Sequence, residues 1–200
     1  MRPNGSIRFL GQFLRRPGAV GAIAPSSRHL ARRMVEWVDW SRVETAVEYG
    51  PGTGAVTQEI LARLPARATF IAFESNPAMA DLWQGRFPGQ DLHFGSATTV
   101  GRELNRRGRG HTDVVISGLP WASFPETLQR EILAATVASL RPGGQFATFA
   151  YLQGLLLPGG IRFRRLLREY FDDIETSSVT WLNLPPAIVY RCRGRRELPE

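Results

Sequence analysis

Val47-Glu48-Tyr49-Gly50-Pro51-Gly52-Thr53-Gly54 decides the fold. An apolar run at 45–47 enters the stretch, and a pattern of helical period at 55–64 leaves it. Between them stand an acid and three glycines at alternate positions. A strand that stops abruptly and starts a helix needs such glycines, because they accept positive φ and let a ligand approach the backbone closely. The stretch reads as a nucleotide-type site at the carboxyl end of a first parallel strand.

Working outward, strands and helices alternate. A second strand at 69–73 ends at Glu74, and Asn76 caps the helix after it, with Pro77 in its first turn. A third strand at 92–94 is followed by Gly95-Ser96-Ala97, and residues 100–110 read as a solvated helix and turn. The fourth strand, 113–116, ends in Ser117-Gly118-Leu119-Pro120-Trp121. Ser123 and Glu126 have capping-box spacing for a helix to Leu140. A turn at 141–144 leads to strand five at 145–151. A helix over 161–171 and two strands at 173–181 and 187–193 complete the pattern, the short loop between the last two making them antiparallel. The whole predicts an α/β chain with a doubly wound, mostly parallel seven-stranded sheet and one antiparallel C-terminal strand, preceded by N-terminal helices.

The N-terminal part differs in character. At about 100° per residue, Ile7, Phe9, Leu10, Phe13 and Leu14 share one face of a helix over 6–16, and Arg8, Gln12, Arg15 and Arg16 the other. Such a helix suits a membrane interface; it equally suits packing on the domain with the arginines in water. A small-residue loop follows, and Ser26 or Ser27 caps a helix to about Val38. Residues 1–25 are thus a candidate docking segment and 26–200 the catalytic domain. The net charge is +7 and every basic residue is arginine. Residues 1–44 hold eight arginines against three acids, so the excess points to an anionic partner there.

Other classes are excluded. No apolar run approaches the roughly 20 residues of a membrane span. Arg2 is not followed by a long apolar region or a cleavage site, so no signal peptide is expected. Cys192 stands alone, and three scattered histidines give no metal site. A cytosolic, reducing compartment is the expectation.

In a sheet of this kind ligands bind beyond the carboxyl ends of the strands. Strand one offers Glu48 and the loop of Gly50, Gly52 and Gly54. Strand two offers Glu74, placed to accept the hydrogens of a ribose diol, with Ser75 beside it. Strand three offers Ser96 and Ala97 for an adenine edge, and strand four offers Ser117. The register is not that of the G-x-G-x-x-G nicotinamide loop, and an acid before the glycines suits a positively charged ligand better than a pyrophosphate. Glu48-x-Gly50-x-Gly52-x-Gly54 together with Glu74 resembles the class I S-adenosylmethionine-dependent methyltransferases. That resemblance implies a Rossmann-like methyltransferase fold with S-adenosylmethionine held at those positions.

A second resemblance spans nearly the whole chain. Phe13-Leu14-Arg15-Arg16-Pro17-Gly18-Ala19-Val20-Gly21-Ala22-Ile23-Ala24-Pro25-Ser26-Ser27, Ser117-Gly118-Leu119-Pro120 and Trp181-Leu182-Asn183-Leu184-Pro185-Pro186-Ala187-Ile188-Val189-Tyr190 resemble the bacterial phospholipid N-methyltransferases. This implies methylation of the primary amine of phosphatidylethanolamine and its mono- and dimethyl derivatives to phosphatidylcholine. It also implies docking on anionic membrane through Arg8, Phe9, Phe13, Arg15 and Arg16. Gly118, Leu119, Pro120 and Trp121, with the aromatic rings of Tyr151 and Tyr190, are the candidate head-group contacts, and the Tyr49 hydroxyl is a further group that can face the ligand. No side chain stands out as a general base.

Two positions depart from the pattern: Ser96 replaces a common aspartate, and Trp121 a smaller aliphatic residue. An rRNA or DNA adenine N6-methyltransferase is the rival reading, since Leu119-Pro120-Trp121 keeps the proline and aromatic of its motif. Gly118 stands where that motif needs an amide or acid, so no nucleic-acid partner is expected. A non-catalytic membrane-binding module is the third reading.

Overall fold

The computed structural model describes residues 26–195. The amphipathic stretch at 6–16, with Arg8, Phe9, Phe13, Arg15 and Arg16, lies outside the described residues.

Seven strands form one sheet: β1 (Thr45–Tyr49), β2 (Thr69–Glu74), β3 (Asp91–Phe94), β4 (Thr112–Ser117), β5 (Leu140–Tyr151), β6 (Phe171–Thr176) and β7 (Ala187–Arg195). Their order is β3-β2-β1-β4-β5-β7-β6. The β1–β2, β1–β4, β2–β3 and β4–β5 pairs are parallel, whereas β7 runs antiparallel to both β5 and β6. β1 and β4 are buried along their whole length, which is why they read as continuous apolar runs rather than alternating ones.

Helices cover both faces. α1 (Arg28–Val35), α2 (Ala55–Leu61) and α3 (Pro77–Arg86) lie on one, where Leu30, Met34, Ile60 and Trp83 pack with Ala46, Ala72 and Ile116. α4 (Val100–Arg106), α5 (Glu126–Ser139) and α6 (Pro158–Tyr170) lie on the other, where Leu104, Ile132 and Leu166 pack with Val47, Ile71 and Phe146. At the amino edge, Asp113 fixes the β1–β4 register. One carboxylate oxygen accepts the amides of Glu44 and Thr45, both at 2.7 Å, and the other meets Arg141 at 2.7 Å.

Several boundaries differ from expectation. The capping box at Ser123 and Glu126 is absent: Ser123 closes a 3₁₀ turn, Trp121–Ser123, and Pro125 occupies the N-cap of α5. Glu126 instead bonds Arg130 at 3.0 Å along the helix. The stretch read as a turn at 141–144 is the irregular start of β5, and the β4–β5 register shifts between Thr112 and Val114. α6 begins earlier, at Pro158, and ends at Tyr170, so Phe171 already belongs to β6; the ring of Phe171 stacks on Phe146 at 5.5 Å, and that apolar contact suits a strand.

Candidate active site

The site begins where β1 ends. Gly50, Gly52 and Gly54 have φ of +62°, +53° and +82°, conformations in which an L side chain is strained. Their surroundings differ. A Cβ on Gly54 would lie 2.1 Å from the ring of Phe87, and one on Gly50 would lie 2.9 Å from the Leu119 side chain, whereas one on Gly52 would meet nothing within 4 Å. The middle of the loop therefore faces open space, while Phe87 and Leu119 wedge its two ends.

Three amides sew the neighbouring strand ends together. Gly50 N–H donates to the Phe73 carbonyl (2.9 Å), Gly95 N–H to the Glu74 carbonyl (2.9 Å) and Gly118 N–H to the Tyr49 carbonyl (2.7 Å). Each donor is the first residue past its strand, so the loops after β1, β3 and β4 leave from one shelf. At its centre, Glu74 accepts the amides of Ser75 (2.9 Å) and Asn76 (2.8 Å) and that of Gly52. Burial raises its pKa above the usual carboxylate value, against the pull of those three amides. Glu74, Ser75 and the glycine loop are thus one unit. An open cradle at Gly52 beside a backbone-held carboxylate fits a ligand with a cationic amino-acid portion and a ribose.

Glu48 is placed otherwise. Alternation along β1 turns it, with Ala46, toward α2, and it is 1 % exposed. The Thr57 hydroxyl donates to it at 2.7 Å and accepts from Trp83 Nε1 at 2.9 Å. This chain ties β1 to α2 and α3 beneath the loop, and burial pushes the Glu48 carboxyl up to about 8. Tyr49 points to the opposite face, where its hydroxyl meets that of Thr136 at 3.3 Å and its ring packs edge-on against Phe73. That hydroxyl, a group that could have faced the ligand, meets α5 instead, because odd positions of β1 face α5.

The remaining candidates divide. Gly118 and Leu119 touch the glycine loop directly. Ser96 caps the 3₁₀ turn Ala97–Thr99, accepting from the Thr98 amide, and Ala97 is buried. The Ser117 hydroxyl is turned inward, accepting from Trp121 Nε1 at 3.1 Å. Trp121 itself is 2 % exposed and stacks on Phe163 at 4.4 Å, flanked by Phe124 and Phe146. Tyr190 lies in the same aromatic cluster, beside Phe163. These two rings, candidates for the head group, are buried in aromatic contacts, where a ring as large as indole gains most from burial. Tyr151 is on the other face of the sheet, half-buried against Phe149. Among the described residues its hydroxyl and that of Thr180 are buried without a hydrogen-bond partner, and the two residues are linked through Ala187, which pairs with each. Thr180, Phe87 and Thr57 had no signal in the sequence, since none stands in a motif.

A sheet ordered 3-2-1-4-5-7-6 with a reversed seventh strand, a glycine cradle after β1 and a carboxylate closing β2 define a class I S-adenosylmethionine-dependent methyltransferase. No protein-family model matches the chain. It is 34% identical over 192 residues to ornithine lipid N-methyltransferase of Singulisphaera acidiphila, covering 94% of this chain and 96% of that protein. The chain belongs to the family of that lipid N-methyltransferase. Among solved structures, N-methyltransferase NodS of Bradyrhizobium japonicum in complex with S-adenosyl-L-homocysteine superposes with a TM-score of 0.66 at 14% identity, over 92% of this chain and 97% of that one. The O-methyltransferase of Bacillus cereus in complex with SAH gives 0.64 at 12% identity, over 96% and 93%. At those identities the likeness is one of fold. S-adenosylmethionine is the expected cofactor.

Proposed function

We propose that this protein N-methylates the free amine of a membrane lipid, and that an ornithine-headed lipid is its acceptor. The observation that carries this is the 34% identity to an ornithine lipid N-methyltransferase along nearly the full length of both chains. Phosphatidylethanolamine is the second reading, favoured by the Gly118-Leu119-Pro120 and Trp181–Tyr190 blocks. Both acceptors present a primary amine on a two-chain lipid. Docking on anionic membrane through the stretch at 6–16 belongs to the same proposal.

When bound, S-adenosylmethionine supplies an electrophilic methyl group on a sulfonium. Gly50, Gly52 and Gly54 would hold its amino-acid portion, Glu74 and Ser75 the ribose, and Ser96 and Ala97 would line the adenine side. A primary ammonium has no lone pair, so the acceptor must lose a proton before it can react. Burial lowers an amine's pKa and makes the neutral form available. The hydroxyls of Tyr151, at the carboxyl end of β5, and Thr180, in the loop before β7, have no partner among the described residues and are proposed to hydrogen-bond the head group and orient its nitrogen. The Tyr151 phenol is raised by burial and stays neutral at physiological pH.

The adenine reading finds no support. The position two before Pro120 is Gly118, and a Cβ there would lie 2.6 Å from the Gly50 carbonyl oxygen, so no amide or acid side chain fits.

The test is incubation with labelled S-adenosylmethionine and vesicles containing ornithine lipid, vesicles containing phosphatidylethanolamine, or total RNA. Label in ornithine lipid is expected. Label confined to phosphatidylethanolamine would transfer the function to the second reading, and label confined to RNA would overturn both.

A further inference from the structure

We infer that the β6–β7 loop is a membrane-inserting edge, its occupant the surface of an anionic bilayer. This rests on the lipid reading above and deepens it by naming where the bilayer meets the domain.

Trp181, Leu182 and Leu184 are 71%, 69% and 81% exposed. Isolated exposed leucines need no explanation, but three large apolar side chains within four residues form a patch. The loop presenting them is firmly held. Asn183, between them, is 3% exposed: its Oδ1 accepts the Ser27 amide at 2.9 Å and its Nδ2 donates to the Pro185 carbonyl at 2.7 Å. Thr180 N–H donates to the Ala187 carbonyl at 2.7 Å. Buried polar anchors at 180 and 183 therefore hold the apolar residues outward, so their exposure is built into the loop.

A second apolar group adjoins it. Leu156, Leu157 and Ile161 are exposed at the start of α6, and Leu152 N–H joins their segment to the Pro186 carbonyl at 3.0 Å. Both groups lie at the carboxyl edge of the sheet, where the Gly50–Gly54 loop also opens. A lipid whose chains stay in the bilayer would thus meet the site head first.

Charge selects the kind of surface. Arg28, His29 and Arg32 of α1 are exposed. His29, Arg32 and Arg33 share with Trp181 and Leu182 a cleft of about 420 Å³. The acid in that cleft, Glu36, is already paired with Arg33 at 3.4 Å and Arg191 at 3.2 Å. Tryptophan and leucine flanked by arginines, with indole at head-group depth and guanidinium groups reaching phosphate, is the chemistry of an anionic interface.

The experiment uses the full chain, with residues 1–25 intact. The triple variant Trp181→Ser, Leu182→Ser, Leu184→Ser is compared with Leu82→Ser, which removes an exposed leucine from α3. Flotation with vesicles of equal phosphatidylglycerol and phosphatidylcholine should show partitioning weakened about tenfold or more in the triple variant and unchanged in Leu82→Ser. Arg28→Glu with Arg32→Glu should give a loss that added salt also produces in the unaltered chain. Methyl transfer to detergent-dispersed lipid should persist in the triple variant while transfer to vesicle lipid falls.

Unchanged vesicle partitioning of the triple variant would overturn the inference. So would an altered oligomeric mass, or newly protease-sensitive residues 1–25, with partitioning unchanged; these outcomes would assign the patch to a second copy or to the chain's own N-terminal segment. Failure of the unaltered chain to methylate any lipid would sink the function proposed above, while the flotation result would still judge this surface.

Discussion

The space that a Cβ on Gly118 would take is filled by the Gly50 carbonyl oxygen, 2.6 Å away. Two backbones touch there because neither residue has a side chain, and the touch sets the loop after β4 against the loop after β1. Gly118→Ala should push the glycine loop outward. We expect a cost of about 2–3 kcal/mol in stability by thermal denaturation, with S-adenosylmethionine affinity down about tenfold or more by calorimetry. Gly85→Ala, on the exposed face of α3 with nothing near its Cβ position, should instead gain about 0.5–1 kcal/mol and bind as before.

Glu48 should make stability depend on pH in an unusual direction. Its carboxyl is raised from 4.5 to about 8 in the folded chain, mainly by burial. The folded state therefore holds this proton more tightly than the unfolded one. Its contribution is fully present below pH 4.5 and is lost as the pH rises through about 8. Glu48→Gln keeps an acceptor for Thr57 and has no proton to lose. Melting curves from pH 5 to 9 should show the variant declining less than the parent, by a difference on the order of a few kcal/mol at the alkaline end. Parallel curves would refute the assignment.

Glu74 should govern the cofactor rather than the fold alone. Glu74→Ala leaves the amides of Gly52, Ser75 and Asn76 without their acceptor. Calorimetry should show S-adenosylmethionine affinity reduced about tenfold or more, the scale of one or two charge-assisted hydrogen bonds. Because burial raises the Glu74 pKa, affinity in the parent should begin to fall on acidification before an ordinary carboxylate would protonate.

Trp121 and Tyr151 should separate packing from catalysis. Trp121→Ala opens the aromatic cluster at Phe163 and should cost about 3–5 kcal/mol, with little change in KM for lipid at temperatures where the variant is folded. Tyr151→Phe removes a buried hydroxyl that has no partner among the described residues, so stability should be unchanged or slightly higher. If that hydroxyl serves the head group, kcat/KM for lipid should nevertheless drop about tenfold. A stability gain with unaltered kinetics would return Tyr151 to a packing role.

The sheet was legible because its strands are bounded by residues whose chemistry is local: glycines after β1, Glu74 at the end of β2 and Asn76 beyond it, Gly118 and Pro120 after β4. That the sheet is mostly parallel followed from the alternation of strands and helices, whereas the strand order was not legible. Which way a side chain faces was less legible. Glu48 and Tyr49 are neighbours in the same motif, yet one meets Thr57 and Trp83 and the other Thr136. Thr57 lies on the helix that follows, Trp83 and Thr136 stand far away in the chain, and no spacing rule links them to the motif. The ring of Phe87 over Gly54 is another such contact across distant residues. Trp121 and Tyr190 suggested a cage for a cationic head group because they adjoin motifs, but indole and phenol rings also fill cores, and sequence alone does not separate the two uses.

The hydrogen bond from the Ser27 amide to Asn183 also fixes the point on the domain to which residues 1–26 are joined. Residues 17–26 can span no more than about 35 Å of extended chain. If the basic stretch at 6–16 grips a bilayer, the catalytic mouth is leashed above a disc of membrane of roughly that radius. A leash of that length raises the effective concentration of the membrane surface at the catalytic mouth for as long as the stretch stays bound. Lengthening residues 17–26 should then lower that effective concentration and slow methyl transfer to vesicle lipid.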